Sequence, residues 1–294
     1  MENNPLKAPT QIQAVRTGIR AHDLGCHAAD ELARRVATAG FDCVQLALAK
    51  ALKGVDSTRG VIGSQLAAKV ASAFTREGVG IEVLGCYINP IHPDPATRGT
   101  LIDWFKEHLH HARAFGCNIV ALESGSLNAD YSPHPGNAGE RAFQDLLATM
   151  RLLVNEATRS GVVVGIEAVT SHVVSTPEKM RRLLDEVASP HLKVVFDPVN
   201  LLNAMNADYQ HEVVGRSLEL FGEDIVVLHA KDFRTVNNDF ITCPAGTGML
   251  DYQSFLPWIA RHRPGIAVLL EESGAQHAGA CRSFILKQLS ASFS

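Results

Sequence analysis

Residues 161–169, GVVVGIEAV, form a short run of mostly β-branched residues that opens on a glycine and closes on a carboxylate, Glu167. A run this short, with no helical period, reads as a buried β-strand. The pattern returns at 192–200, LKVVFDPVN, with Asp197; at 224–233, DIVVLHAKDF, with His229; and at 265–273, GIAVLLEES, with Glu271. The four side chains recur at intervals of roughly thirty to forty residues, about the length of one βα unit, and a closed α/β barrel gathers the ends of such strands at one mouth. Three carboxylates and one imidazole there predict one divalent metal ion, with Mn²⁺, Mg²⁺, Co²⁺, Zn²⁺ and Fe²⁺ as candidates. Ca²⁺ is disfavoured because it prefers oxygen ligands alone.

Working outward, short apolar runs alternate with longer amphipathic stretches along the whole chain. Strands are predicted near 13–19, 43–48, 80–87, 118–124, 162–169, 192–197, 224–232 and 266–272. Helices are predicted at 27–40, 64–78, 100–116, 140–161, 176–190, 211–222, 252–262 and 280–292. Thr176 and Pro177 have the form of an N-cap and first helical residue. Gly40, Gly78, Gly116, Gly161 and Gly222 fall where helices should end in the left-handed conformation. Eight βα units predict a single (β/α)₈ TIM barrel, one domain over 1–294 with its core at about 11–290. Three connections, 89–99, 125–139 and 233–250, are longer than a barrel requires and all lie on the side where βα loops build pockets.

Composition narrows the function classes. The chain has 294 residues, 46% apolar and 20% charged, with a net charge of −4, as in a globular protein with a substantial core. The charges are interspersed and form no basic face, which argues against a nucleic-acid partner. MENNPLKAPTQ has neither the apolar stretch of a secretory signal nor the Arg-rich pattern of an organellar presequence, so a cytoplasmic location with no membrane partner is expected. Cys26, Cys43, Cys86, Cys117, Cys243 and Cys281 include no CxxC pair and are expected to be reduced, with Cys43 and Cys117 in the core. Homo-oligomerisation is left open.

Strand alternation orients the candidates. Val163, Gly165 and Glu167 share one face, and Val162, Val164 and Ile166 pack towards the helices. Asp197 is a ligand or the N-cap of the following segment. His229 and Lys231 share a face and Asp232 points away; Lys231 contacts substrate oxygens or forms an ion pair. Glu271 and Glu272 must face opposite ways, and Glu271, in phase with Ala267 and Leu269, is the chosen ligand. Glu123 extends the site or is a buried ion-pair partner. Asn89 and His172, with His92 and His134, are candidate polar groups of the pocket. His108, His110 and His111 are expected to be solvated. Gly246-Thr247-Gly248 cradles a phosphate or, as the preferred reading, makes a plain turn.

The quartet, together with TPEKMRRLLDEV before FDPVNLL, HAKD, and PAGTGMLDY before the last helix, resembles the sugar phosphate isomerase/epimerase group of the xylose isomerase-like barrel superfamily. That superfamily also holds ketose 3-epimerases, hydroxypyruvate isomerase, inosose dehydratase and endonuclease IV. The resemblance covers nearly the whole chain and implies that Glu167, Asp197, His229 and Glu271 hold one divalent metal, with Glu167 and Glu271 also moving a proton. Substrate contacts are expected from Lys231, Asn200, Glu123, His172 and Asn89. Two departures stand out: Asn200 replaces a histidine of several relatives, and Thr242, Cys243 and Pro244 stand where endonuclease IV has additional zinc-binding histidines. The resulting expectation is an isomerase that acts on a sugar, sugar phosphate or polyol through an enediolate. A related dehydratase, an endonuclease IV-like phosphodiesterase and a non-catalytic carbohydrate-binding barrel are the alternatives.

Overall fold

The computed structural model describes residues 15–291. MENNPLKAPTQ, the first residues of the expected first strand, the first residues of the expected core and the end of the expected last helix lie outside the described residues. The strands are β1 Arg16–Arg20, β2 Cys43–Leu46, β3 Gly80–Gly85, β4 Ile119–Glu123, β5 Val163–Glu167, β6 Leu192–Phe196, β7 Ile225–Ala230, β8 Asp232–Val236, β9 Asp239–Cys243 and β10 Ala267–Leu270. All but β8 and β9 form a closed parallel barrel in which β1 pairs with β2 on one side and β10 on the other. The helices are α1 Ala29–Thr38, the single turn α2 Leu48–Ala51, α3 Ser64–Arg76, α4 Pro95–His111, α5 Glu140–Ser160, α6 Pro177–Val187, α7 Gln210–Phe221, α8 Leu256–His262 and α9 Gly274–Ala291. This is the (β/α)₈ TIM barrel expected from the strand count.

Two apolar layers result from strand alternation. Cys43, Val83, Ile119, Ala121, Val195, Val227, Ala267 and Leu269 fill the barrel interior. The opposite strand faces, including Val164, Ile166, Val194 and Leu228, join a second core with the helices. Gly165 faces the interior because a Cβ there would lie 2.9 Å from Val195 Cγ2 and 3.1 Å from Ile119 Cγ2. The interior therefore stays filled just below Glu167, two residues further along the same face.

Several boundaries differ from the sequence reading for identifiable local reasons. α4 begins five residues early because Asp94 accepts a hydrogen bond from Thr97 N at 2.8 Å and Pro95 occupies the first turn. His108 on that helix is buried beside Phe105 and Leu109, with its Nδ1 2.9 Å from Trp104 O, rather than solvated. Thr176 caps α6 as expected, accepting from Lys179 N at 3.3 Å. Gly222 is not left-handed: its φ is −54°, and a Cβ there would lie 2.3 Å from Trp258 Cη2. That glycine makes room for a ring instead of ending a helix in the αL region. Among the described residues, no helix is long and apolar enough to cross a membrane.

The connection after β7 holds the largest departure. β8 and β9 form an antiparallel hairpin, turned by Asn237 and Asn238 at φ of 52° and 67°, the two positive values of a type I′ turn. Beyond it, the Gly-Thr-Gly segment wraps the carboxylate of Asp232. Gly246 N and Gly248 N each donate to Oδ2 at 3.0 Å, and Leu250 N and Phe233 N donate to Oδ1 at 2.8 and 2.9 Å. The turn thus binds an anion supplied by the chain itself. A Cβ at Gly248 would lie 2.3 Å from Asp232 Oδ1, so only glycine permits the approach. Asp232→Ala would strip the acceptor from all four N–H groups and should lower unfolding stability by about 3 kcal/mol in urea titrations. A loss below about 1 kcal/mol would show that water replaces the carboxylate at little cost.

Candidate metal centre

Each candidate ligand sits where its strand ends. Glu167 closes β5, Asp197 follows β6, His229 is the penultimate residue of β7, and Glu271 follows β10 with its N–H donating to Ala230 O at 3.1 Å. Glu167, Asp197 and His229 are buried, and each presents a ligand atom within 4.8 Å of the others. This triad is a fitting site for one divalent ion. Asp197 shows why: its Oδ1 accepts from Val199 N at 2.8 Å and Asn200 N at 3.3 Å, capping the following turn. Its Oδ2 is buried without a hydrogen bond of acceptable geometry, although Lys231 Nζ lies 3.0 Å away. The N-cap reading is met by Oδ1, which leaves Oδ2 as the oxygen an ion could use.

Glu271 stands at the edge of this set. Its Oε1 is 3.3 Å from His229 Nδ1, and its Oε2 is 3.3 Å from Lys231 Nζ and 3.8 Å from Arg20 Nη1. Lys231 thus lies between Asp197 and Glu271, and the same ammonium approaches both carboxylates. Glu272 has φ of 53° and is exposed at the rim of the cavity that Glu271 also lines. Glu167 Oε1 also lies 3.3 Å from His229 Nδ1 and accepts from Asn200 Nδ2 at 2.7 Å.

Burial alone would hold His229 neutral, but Glu271, Glu167 and Asp197 outweigh it and raise the imidazole to about 9. Burial also opposes the charge on Lys231, and Asp197 and Glu271 again prevail, so its pKa is raised. Burial would raise Glu271, yet His229, Lys231 and Arg20 bring it down to about 2. Glu123, beside Glu167 in the β4–β5 register, is pushed up to about 7 by burial and then by Glu167 and Glu271.

Next to the triad, on the side of its partners Asn200 and Lys231, is a cavity of about 440 Å³ whose lining also includes Arg20, Lys50, Tyr87 and Glu123. His172 also lines it, with Nδ1 3.5 Å from Glu123 Oε2. Burial lowers His172 to about 4, so near neutral pH the imidazole is uncharged and the contact is no ion pair. Asn89 does not line the cavity. Its Nδ2 donates to Ser126 O and Asn128 O at 2.8 and 3.0 Å, and its Oδ1 accepts from Ser126 N and Ile91 N at 3.2 and 3.3 Å. The side chain clips two loops together and has no polar atom left over. His134 is likewise used locally, accepting from Gly136 N at 2.9 Å.

Several lining groups were missed by the sequence reading: Arg20, His22, Lys50, Tyr87 and Tyr131. So was Gln45, fully buried on β2, whose Oε1 lies 2.8 Å from His229 Nε2 and whose Nε2 donates to Tyr87 Oη. Gln45 carried a detectable signal, since it shares the inward face of β2 with Cys43, where an amide needs polar partners.

A family model described as a xylose isomerase-like TIM barrel matches residues 33–284, and the chain belongs to that family. Among solved structures it is similar to a D-tagatose 3-epimerase-like protein, at 16% identity over 95% of this chain and 98% of the other, with a TM-score of 0.74. It is also similar to the IOLI protein with a bound zinc atom, at 15% identity over 95% and 100%, with a TM-score of 0.74. A third similarity is to a xylose isomerase-like TIM barrel/4-hydroxyphenylpyruvate dioxygenase fusion protein, at 19% identity and a TM-score of 0.70. There the match covers 94% of this chain and 43% of the fusion, so the chain spans less than half of that protein. At these identities the likeness is one of fold. No match is found among curated protein sequences.

Because an ion at Nδ1 must displace the proton that His229 holds up to about pH 9, metal affinity should rise with pH towards that value. Mn²⁺ binding at pH 7 should release about one proton, read from calorimetric titrations in buffers of different ionisation enthalpy. His229→Ala should lose most of the bound metal in elemental analysis while remaining folded. Unchanged metal content would remove His229 from the ligand set.

Proposed function

We propose that the protein is a divalent-metal-dependent isomerase or epimerase of a sugar, sugar phosphate or polyol, working through an enediolate. The observation that carries this reading is the buried Glu167–Asp197–His229 triad, with Glu271 approaching the same imidazole nitrogen, next to a cavity of about 440 Å³ lined by their partners Asn200 and Lys231 and by Glu271 itself. A divalent ion held by the triad, with Glu271 as the proposed fourth ligand, would supply positive charge beside a carbonyl oxygen and its neighbouring hydroxyl, where an enediolate develops negative charge.

The chain's own groups supply the remaining chemistry. Glu167 and Glu271 approach His229 Nδ1 from two carboxylates, each at 3.3 Å, and are the proposed acid and base at the reacting carbon. Asn200, donating to Glu167 Oε1, orients one of them. Lys231, Glu123 and His172 are the proposed contacts to substrate oxygens. His22 and His172 each keep a buried Nδ1 without a hydrogen-bond partner, and both line the cavity, which suits a ligand rich in hydroxyl groups. Removing a proton from one face and returning it to the other gives epimerisation. Returning it to the adjacent carbon gives aldose–ketose isomerisation.

The nearest alternative, loss of a β-hydroxyl from the same enediolate, uses the same residues. A multi-metal phosphodiesterase has less support: among the described residues one group of metal-ligating side chains is assembled, and Thr242 and Cys243 belong to the surface hairpin. The six cysteines are free thiols, which supports a cytoplasmic setting.

A screen of ketoses in D₂O should reveal a substrate that gains deuterium next to its carbonyl. In the metal-replete protein, Glu167→Gln should suppress that exchange by at least about a hundredfold, because an amide can ligate but cannot accept the proton. Full turnover in metal-loaded Glu167→Gln would exclude Glu167 as an obligatory base. Glu271→Gln should reduce turnover far more than Glu272→Gln, and equal losses would contradict the role given to Glu271.

A further inference from the structure

We propose that Gln45 is a positioning residue that fixes the tautomer of His229, keeping the ring proton on Nε2 and leaving Nδ1 free to ligate a divalent ion with Glu167 and Asp197. The inference deepens the metal-centre reading and rests on it. A neutral imidazole has one donor and one acceptor nitrogen, and the hydrogen bond made by one nitrogen decides which of them can bind a metal. Here Nδ1 faces Glu167 Oε1 and Glu271 Oε1, while Nε2 points to Gln45 Oε1 at 2.8 Å. A carbonyl oxygen only accepts, so Nε2 must carry the hydrogen.

The other end of the amide is engaged as well. Gln45 Nε2 donates to Tyr87 Oη, and the backbone of Gln45 is locked by pairing with Arg20 on β1 and Val83 on β3. Were the amide reversed, its N–H would face Nε2, the ring proton would move to Nδ1, and no lone pair would point at the carboxylates. The Tyr87 hydroxyl accepts from Gln45, so its own hydrogen is left for the cavity that Tyr87 lines. Gln45 is fully buried and touches no proposed substrate position, so it acts through His229 rather than on the reacting atoms.

The test uses the full chain with Mn²⁺ or Zn²⁺ alone. Gln45→Leu, similar in size and without an acceptor, should weaken Mn²⁺ binding by roughly 10- to 100-fold, as loss of such an outer partner does. Gln45→Glu keeps an acceptor for Nε2–H and should bind Mn²⁺ at least as tightly as the parent. In the ¹⁵N-histidine-labelled, Zn²⁺-loaded parent protein, His229 should show a metal-bound Nδ1 and a slowly exchanging Nε2–H. Ligation through Nε2 would overturn the proposal, and so would parental Mn²⁺ affinity in folded Gln45→Leu; the spectrum of the parent decides the matter even where that variant fails to fold. Full metal retention by His229→Ala would instead remove His229 from the ligand set, a failure of the metal-centre reading distinct from failure of the Gln45 arm alone.

Discussion

Buried charge is the constraint on which this barrel mouth depends. Glu167, Asp197, His229, Lys231 and Glu271 are each less than a tenth exposed. Ionised groups removed from water at this depth persist only when nearly every lone pair and proton has a partner. The surrounding elements supply those partners: Arg20 from β1 approaches Glu271, Asn200 from the loop after β6 donates to Glu167, and the backbone of the same loop caps Asp197. Asp232 turns from the cluster, and its carboxylate accepts from its own nest of N–H groups. The loops are thus held in place partly by what the site requires.

Much of this was legible because strand periodicity constrains it strongly. Once GVVVGIEAV is a strand, the side chains at 163, 165 and 167 must share a face; β10 ends at Leu270, so the same rule stops short of Glu271 and Glu272. The structure places Gly165 in the barrel interior and Glu167 two residues beyond it. Helix ends written in local chemistry were readable too, as at Thr176 and Pro177. The Asp94-Pro95 cap carries the same signal, but it lies inside a stretch rich in proline that reads as loop.

What remained hidden depends on contacts between distant segments. Nothing local in the sequence distinguishes Asn89 as a loop clip from Asn200 as a partner of a candidate ligand; the difference is whether another loop arrives to use the amide. His108 illustrates the same limit, since its neighbours His110 and His111 suggest a polar face while Phe105 and Leu109 carry it into the core. The β8–β9 hairpin was concealed by a polar, half-exposed pattern in which the Asn-Asn turn was the available cue. Gln45 has no ionisable group to mark it, although a neutral amide on an inward face is costly to bury without polar partners.

The charge inventory of the cluster links its geometry to its chemistry. In the metal-free state three carboxylates face one ammonium and, with its pKa raised to about 9, one imidazolium. With all three carboxylates ionised, these five side chains sum to one negative charge, although burial raises Asp197 to about 6. If a divalent ion takes the place of the imidazolium proton, the same five side chains and the ion sum to zero, the least costly state for charges at this depth. Glu123 is the nearby carboxyl that burial and its neighbours push up to about 7, so it can enter or leave that balance near neutrality. A centre set so close to electrical neutrality can tolerate one additional negative charge shared over two substrate oxygens. On the proposed isomerase reading, that is the charge an enediolate would develop.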